Sequence, residues 1–493
     1  MEVLAQYERA SGQMVNREKT ALFFSKNTPE SVRCAIQQLW GVHGTANFEK
    51  YLGLPAMVGK SKQHTFNNMK ERIAQRLQGW KERLLSKAGR AILIKTIAQA
   101  IPTYTMSCFK LPKTWCADIN SLISNYWWGQ RREENKIHWI NWGRLCSLKE
   151  DGGVGFRDIH SFNMALLAKQ GWRLLSQPCS LFAKCFQAKY FPGVSFLKAK
   201  LGSNPLYIWR SILAARELLW KGLRWQMGNG QQAHVWEDDW GPTTLHQCSN
   251  PMEVQWVADL IDAESGSWDV SILREVFDED NVQQVQQVVL TDCRRRDYPI
   301  WKHDPQGIFS VKSAYRVAVG AELHCEAVGS SEKTRNQRMW KHLWKLKIPN
   351  KVKFHIWRAC LNALPTRFSL CRRRILQDPC CPICNSASET TTHALWVCPY
   401  AVSVWALSPG RLQKLPSSEI DFFLLARQFF QDMACEMREL WAVTCWAIWY
   451  ARNKFIHESL LMPPQQTLDI ATRLLRDYQI VKSGQHLISS GMH

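Results

Sequence analysis

The residues that most restrict how this 493-residue chain can fold are Cys381-Pro382-Ile383-Cys384, then His393 after eight residues and Cys398 after four more. A Cys-x2-Cys pair on a tight turn offers two thiolates to one metal ion. A following His and Cys can close a tetrahedron with ligand bonds of about 2.0–2.3 Å. The chain between residues 381 and 398 must then fold back on itself. Three thiolates and one imidazole leave no open coordination position, so the pattern predicts a structural zinc ion that holds a fold and performs no hydrolysis. Cys380 offers a competing register, but the turn at Pro382 favours Cys381. His342, His355 and Cys371 read as ordinary core or surface residues.

Charge supplies the second constraint. The net charge is +21, and it is concentrated. Residues 59–113 carry 12 basic and 2 acidic side chains, and residues 331–376 carry 13 basic and 1 acidic. These two stretches hold the whole positive surplus, which suits a phosphate backbone followed along a surface better than general solubility does. The expected partner is RNA or DNA, bound largely without sequence preference. One contact surface is expected from Lys60, Lys62, Lys70, Arg76, Lys81 and Arg83. A second is expected from Lys345, Lys347, Lys351, Lys353, Arg372, Arg373 and Arg374.

The 17 cysteines are odd in number and follow a polar N-terminus without an apolar leader, so a reducing, intracellular setting is expected. Nuclear residence would suit such a partner, although Arg372-Arg373-Arg374 is too short to serve as an address. The apolar run Leu440–Ala451 is too short to span a bilayer and reads as a buried helix, so no membrane partner is expected.

Apolar residues Phe66, Met69, Ile73, Leu77, Trp80 and Leu84 recur at helical spacing, with a break at Ser86–Gly89 and a stop at Pro102. Asp151-Gly152-Gly153-Val154-Gly155 lacks the Lys and Ser/Thr of a phosphate-binding loop and reads as a turn. Residues 222–240 read as a β-hairpin turning at Gly228-Asn229-Gly230, and 295–312 as another extended piece. Ser418 and Asp421 are spaced like a helix cap. The expected fold is mainly α and multidomain, with short β-hairpins and a small zinc-binding module.

In this order the landmarks resemble the C-terminal part of LINE-type (non-LTR) retrotransposon reverse transcriptases. Tyr7, Ser11-Gly12-Gln13, Asn16 and Lys19 come first, then Tyr51-Leu52-Gly53-Leu54-Pro55, Trp80, Leu84, Ser86, Gly89-Arg90 and Trp127-Trp128-Gly129. Gly152-Gly153-Val154-Gly155, Trp225 and Gly228-Asn229-Gly230 follow, then Phe309–Tyr315, Trp344, Pro349 and Lys351, and finally Cys381–Cys398. Trp446, Trp449, Arg452 and Asn453 resemble a stretch that often precedes an RNase H domain.

The resemblance implies a residual palm end at 1–55, basic thumb-like helices at 56–130 and a helical middle region at 131–295. It implies a reverse transcriptase zinc-binding domain at 296–402, a linker at 403–430 and Trp-rich helices at 431–493. It also implies that the polymerase's Tyr-x-Asp-Asp-like hairpin would lie before residue 7. The catalytic Asp pair, the fingers, the endonuclease and the RNase H carboxylates are therefore expected to be absent, and the chain is not expected to be an enzyme. Trp236-Glu237-Asp238-Asp239-Trp240 mimics an aromatic-x-Asp-Asp hairpin but sits in the wrong place, and Phe277-Asp278-Glu279-Asp280 reads as a solvated loop. The competing expectations are a protein-interaction scaffold built on the zinc module and the Trp-rich helices, and an accessory fragment complementing a separate palm.

Overall fold

The computed structural model describes the chain apart from residues 1, 17–19, 21, 23, 26, 43–49, 52–53, 56–57, 60, 80–84, 130–135, 242–252, 263–264, 293, 323–329, 410–411, 413–420 and 490–493. Lys19, Leu52, Gly53, Lys60, Trp80, Lys81, Arg83, Leu84 and Ser418 thus lie outside the described residues. The chain divides into two compact units, Met1–Glu71 and Arg72–His493.

The first unit holds helices α1 (Glu2–Ser11) and α2 (Glu30–Trp40), neither of which buries a side chain. Strands β1 (Lys50–Tyr51) and β2 (Leu54–Pro55) form a minimal hairpin that pairs Tyr51 with Leu54. Helix α3 (Lys62–Gly79) begins in this unit and continues into the second. Its one apolar face buries Phe66, Met69, Ile73 and Leu77, as their spacing predicts. Val3, Tyr7, Met14 and Leu39 stay exposed.

The second unit continues with α4 (Lys87–Leu93), α5 (Thr103–Cys108), α6 (Lys113–Trp128), α7 (Trp142–Cys146), α8 (Ile159–Ser176), α9 (Leu181–Tyr190), α10 (Tyr207–Ala214) and α11 (Arg216–Trp220). After β3 (Leu223–Gln226) come α12 (Val270–Val276), α13 (Glu279–Gln286), β4 (Tyr298–Trp301), α14 (Val311–Glu322), α15 (Ser330–Lys345) and α16 (Asn350–Cys360). The order ends with α17 (Arg367–Arg372), α18 (Pro399–Ala406), α19 (Phe422–Asp432), α20 (Cys435–Glu458) and α21 (Pro464–Ser489). The described chain is mostly helical. Its central helix is α8, against which α5, α6, α10, α11 and α14 pack. None of the described helices is long and apolar enough to cross a membrane.

Two of the sequence landmarks meet at the end of α6. The Ser86 hydroxyl accepts from Gly89 N at 3.2 Å and starts α4. The next residue, Lys87, donates through Nζ to Trp127 O at 2.8 Å and lies 4.6 Å above the Trp128 ring. The Arg90 guanidinium sits where a Cβ on Gly129 would be. Two basic side chains thus close the carboxyl end of α6, where the helix dipole favours positive charge. Burial, with Arg358 and Arg90 nearby, pulls Lys87 down to about 7. This part of the basic stretch is therefore spent on the core.

The loop at Asp151–Gly155 is a turn, as read, and it is a docking point. Gly152 has φ +82°, and a Cβ there would meet the Trp340 ring at 2.9 Å. Trp357 Nε1 donates to Gly152 O at 2.8 Å, and Gln337 Nε2 to Asp151 Oδ1 at 2.9 Å. Helices α15 and α16 thereby grip a loop about two hundred residues upstream in sequence.

Residues 222–240 do not form a hairpin of their own. Strand β3 pairs antiparallel with β4, with Leu223 opposite Trp301 and Gln226 opposite Tyr298. The extended pieces near 222 and 298 are thus two halves of one sheet. The reason lies at the Gly-Asn-Gly turn, which wraps a carboxylate instead of a returning strand. Buried Asp297 accepts from Gly228 N at 2.8 Å, Gly230 N at 2.9 Å and Gln232 N at 2.8 Å. Gly230 has φ +70°, and a Cβ there would collide with the Ala258 backbone. Asp297→Ala would strand these donors, at about 1–3 kcal/mol for each buried one. We expect a total loss of at least about 3 kcal/mol in urea unfolding, with Asp297→Asn intermediate because one oxygen remains.

The acidic decoys are also accounted for. Glu237 pairs with Lys198 at 3.0 Å, and Asp238 accepts from His234 N at 2.8 Å. Asp239 faces Arg224 and Lys302 at 3.5 and 3.1 Å. Each carboxylate is held by a different partner. Asp278, expected in a solvated loop, caps α13 by accepting from Asn281 N at 2.9 Å. The stretch 403–430, expected as a linker, is helical over α19. Asp421 caps that helix, and Phe422, Leu425, Phe429 and Phe430 are buried at helical spacing.

Candidate metal centre

The segment after α17 turns back on itself through backbone bonds. Glu389 N donates to Pro379 O at 2.8 Å, Cys381 N to Ala387 O at 2.8 Å, and Asn385 N to Cys381 O at 2.9 Å. Asn385 takes φ 54°, a left-handed position that Asn tolerates and that closes the knuckle around Cys381 and Cys384. His393 opens a π-turn, His393–Val397, with its N–H on Thr390 Oγ1 at 3.0 Å. Cys398 donates its N–H to His393 O at 2.8 Å and immediately precedes α18, whose first residue is Pro399. A helix N-terminus favours a thiolate there.

These turns bring one ligand atom from each of Cys381, Cys384, His393 and Cys398 within 4.8 Å of one another. Cys381 Sγ lies 3.9 Å from Cys398 Sγ, and Cys384 Sγ lies 3.4 Å from His393 Nε2. In a tetrahedral zinc site the ligand atoms are separated by about 3.6–3.8 Å, so these two separations are close to what such an ion requires. Among the described residues, this is the one group of three or more His, Cys, Asp or Glu so arranged. Cys380 stands outside it, with its N–H on Asp378 Oδ1 at 2.9 Å.

The electrostatics of the cluster fit a bound cation. Hydrogen bonding from Cys398, with His393 as a second donor, holds the Cys381 thiol well below its ordinary range. The same contact pushes Cys398 up, and His393 is raised chiefly by its bond to Cys381. Burial opposes ionisation of Cys384, but Ser386, whose hydroxyl donates to its sulfur at 3.2 Å, holds it down. Without a cation the groups must share protons. A divalent ion would satisfy them all.

Sequence reasoning missed the strut behind the knuckle. Glu389, whose side chain is 0% exposed, receives Arg452 Nε at 2.7 Å and Nη2 at 2.6 Å. It also accepts from Arg367 N at 2.7 Å. Arg452 lies on α20 and stacks 4.7 Å from the Trp449 ring. Helix α20 also packs on the π-turn carrying His393, and α21 packs on α18. The knuckle is thus bolted to the Trp-rich helices. The available signal was that Glu389 is the only charged residue between Cys381 and Cys398.

The basic residues fall into distinct settings. On α3, Lys62 is exposed and Lys70 half-buried in the first unit, while Arg76 is exposed in the second. In the second unit Lys345, Lys347, Lys351, Arg372, Arg373 and Arg374 are exposed. Lys353 turns inward and donates to Trp344 O at 3.0 Å. Lys351 Nζ lies 4.2 Å from the Trp446 ring, and the Arg373 guanidinium 5.0 Å from the Trp139 ring. His355, read as an ordinary core residue, is buried and pulled down to about 3 by burial, with Arg358 adding to the effect.

Residues 309–405 match the family described as zinc-binding in reverse transcriptase, and the four-residue cluster lies inside that match. An uncharacterized mitochondrial protein of Arabidopsis thaliana, AtMg00310, is 44% identical over 142 residues, which is 29% of this chain and 92% of that protein. The chain belongs to the reverse-transcriptase-related proteins. A longer relative from the same plant, which carries the name "Putative ribonuclease H protein At1g65750", is 29% identical over 415 residues. That alignment covers 80% of this chain, which spans 65% of the relative's length. The reverse-transcriptase-related chain therefore combines a zinc-binding family segment with a Cys3His cluster that could hold a metal ion.

Proposed function

We propose that this chain is a nucleic-acid-binding segment of a LINE-type retrotransposon reverse transcriptase, folded around one structural zinc ion, and that it does not itself polymerise. The observation that carries this reading is the Cys3His cluster, whose four ligand atoms converge within 4.8 Å, set within a reverse transcriptase zinc-binding segment whose preceding helices carry nearly uniform positive charge. Cys381, Cys384, His393 and Cys398 would hold the ion, and a closed ligand set supplies architecture rather than a reactive water. Lys345, Lys347, Lys351 and Arg372–Arg374 would face the phosphates, with the α3 lysines as a separate contact. Polymerisation needs clustered carboxylates around Mg2+. The acids of Trp236–Trp240 are instead each engaged by a partner of the chain itself.

Binding of labelled single-stranded and duplex oligonucleotides, titrated from about 50 to 200 mM salt, tests the reading. With 6–10 phosphate contacts, affinity should fall roughly 10³–10⁵-fold across that range, with little dependence on sequence. Salt-insensitive binding would sink the reading. Primer extension by the purified chain would overturn its non-catalytic part.

A further inference from the structure

The outward face of α20 carries an aromatic ladder beside the second basic stretch. Trp446 and Tyr450, one helical turn apart, stack with ring centroids 5.7 Å apart and planes inclined by only 14°. Trp446 is half-buried, and Tyr450 is 43% exposed. The flanking positions Cys445, Ala447, Ile448, Trp449 and Ala451 are buried, so in the middle of α20 these two rings mark the outward face. Lys351 reaches across from α16 and places its ammonium 4.2 Å from the Trp446 ring. Lys347, exposed near the start of α16, is anchored beside α20 through its N–H on Glu439 Oε1 at 2.5 Å.

We propose that Trp446 and Tyr450, with Lys351 and Lys347, form a platform on which successive bases of a single-stranded nucleic acid stack. This proposal rests on the nucleic-acid reading above and specifies its substrate class. The chemistry favours single strands over duplexes. Parallel rings on one face match the π-faces of unpaired bases, which a duplex hides inside its stack. The lysines at the edge of the ladder match the phosphates that follow such bases. Positive charge without rings would serve a duplex equally well. The stacked pair is what breaks that tie.

The test uses the full chain with zinc bound and two variants, Trp446→Leu/Tyr450→Leu and Lys345→Ala, the latter removing an exposed cation outside the ladder. Zinc content and thermal unfolding establish that each variant is folded. Base–aromatic stacking is worth roughly 1–3 kcal/mol per base. The double variant should therefore bind an oligo-dT or oligo-U probe at least about 10-fold more weakly, while its duplex affinity changes less than about twofold. Lys345→Ala should weaken both probes alike. A single-stranded probe carrying 5-iodouracil should cross-link to the tryptic peptide of α20 containing Tyr450. If the double variant keeps its single-strand affinity, or loses both affinities equally, the platform is refuted while the broader reading stands. If the unaltered chain binds neither probe, the broader reading fails first. Should the double variant misfold, cross-linking in the unaltered chain decides: a cross-link on α20 supports the platform, and one elsewhere overturns it.

Discussion

Arg452→Ala is expected to cost about 3–5 kcal/mol of stability and to loosen the zinc knuckle without touching a metal ligand. The physical reason is the asymmetry of buried ion pairs. An intact pair deep in a protein gains little over an apolar replacement, but removing one partner leaves the other charge buried and unsatisfied. Here the survivor is Glu389, whose side chain is 0% exposed and faces an Arg452 that is 6% exposed. Arg452 supplies a bidentate fork, a geometry that a lysine could not reproduce. The remaining donor to Glu389, Arg367 N, would not neutralise it. Urea unfolding should show the loss, and chelator-driven zinc release should be faster in the variant. Pairing Arg452→Met with Glu389→Gln removes both charges and should restore most of the stability. Equal damage from the single and double changes would mean that the contact matters for shape and not for charge.

This strut also marks how far the sequence could be read. The four candidate ligands were legible because metal chemistry fixes both residue type and spacing, and a turn of fixed geometry follows from Cys-x2-Cys. Helix α3 was legible from Phe66, Met69, Ile73 and Leu77, since one apolar face is a local property. The predicted turn at Gly152 was likewise local. What sequence could not show is what each of these touches. The hairpin expected at 222–240 fails because β3 finds its partner at β4, and the deciding residue, Asp297, lies some seventy positions after the turn that it fills. Charge misleads for the same reason. Lys87 counts as one more cation in a basic stretch until the fold places it, half-buried, on Trp127 O, where it caps a helix. Arg452 was noted only for its resemblance, because its partner sits 63 residues away in the knuckle. Pairings across long separations carry no periodicity to detect.

Cys384→Ser should abolish stoichiometric zinc binding, and its structural consequences should stop within the C-terminal part of the second unit. A serine oxygen does not replace a thiolate on zinc, so the tetrahedron loses a ligand and its charge balance. In small isolated modules such a site supplies about 10–16 kcal/mol of apparent binding energy, and the unliganded chain is unfolded. Here the knuckle is backed by apolar burial. Leu395, Ala401, Val404 and Trp405 are buried next to it, and α20 and α21 cover α18 and the π-turn. We therefore expect the helices to persist while the turn at 379–398 opens. Hydrogen exchange at Cys381, Asn385 and Glu389, whose N–H groups close the knuckle, should accelerate sharply in the variant. Exchange in α8 should not change. The pH response follows from the ligands' protons: zinc binding needs thiolates and a neutral imidazole, so acidification protonates them and releases the ion. The unaltered protein should lose zinc cooperatively as pH falls, and the variant should have none to lose. Full zinc occupancy in Cys384→Ser would remove this residue from the ligand set, and would bring Cys380 back into consideration as the neighbouring thiol.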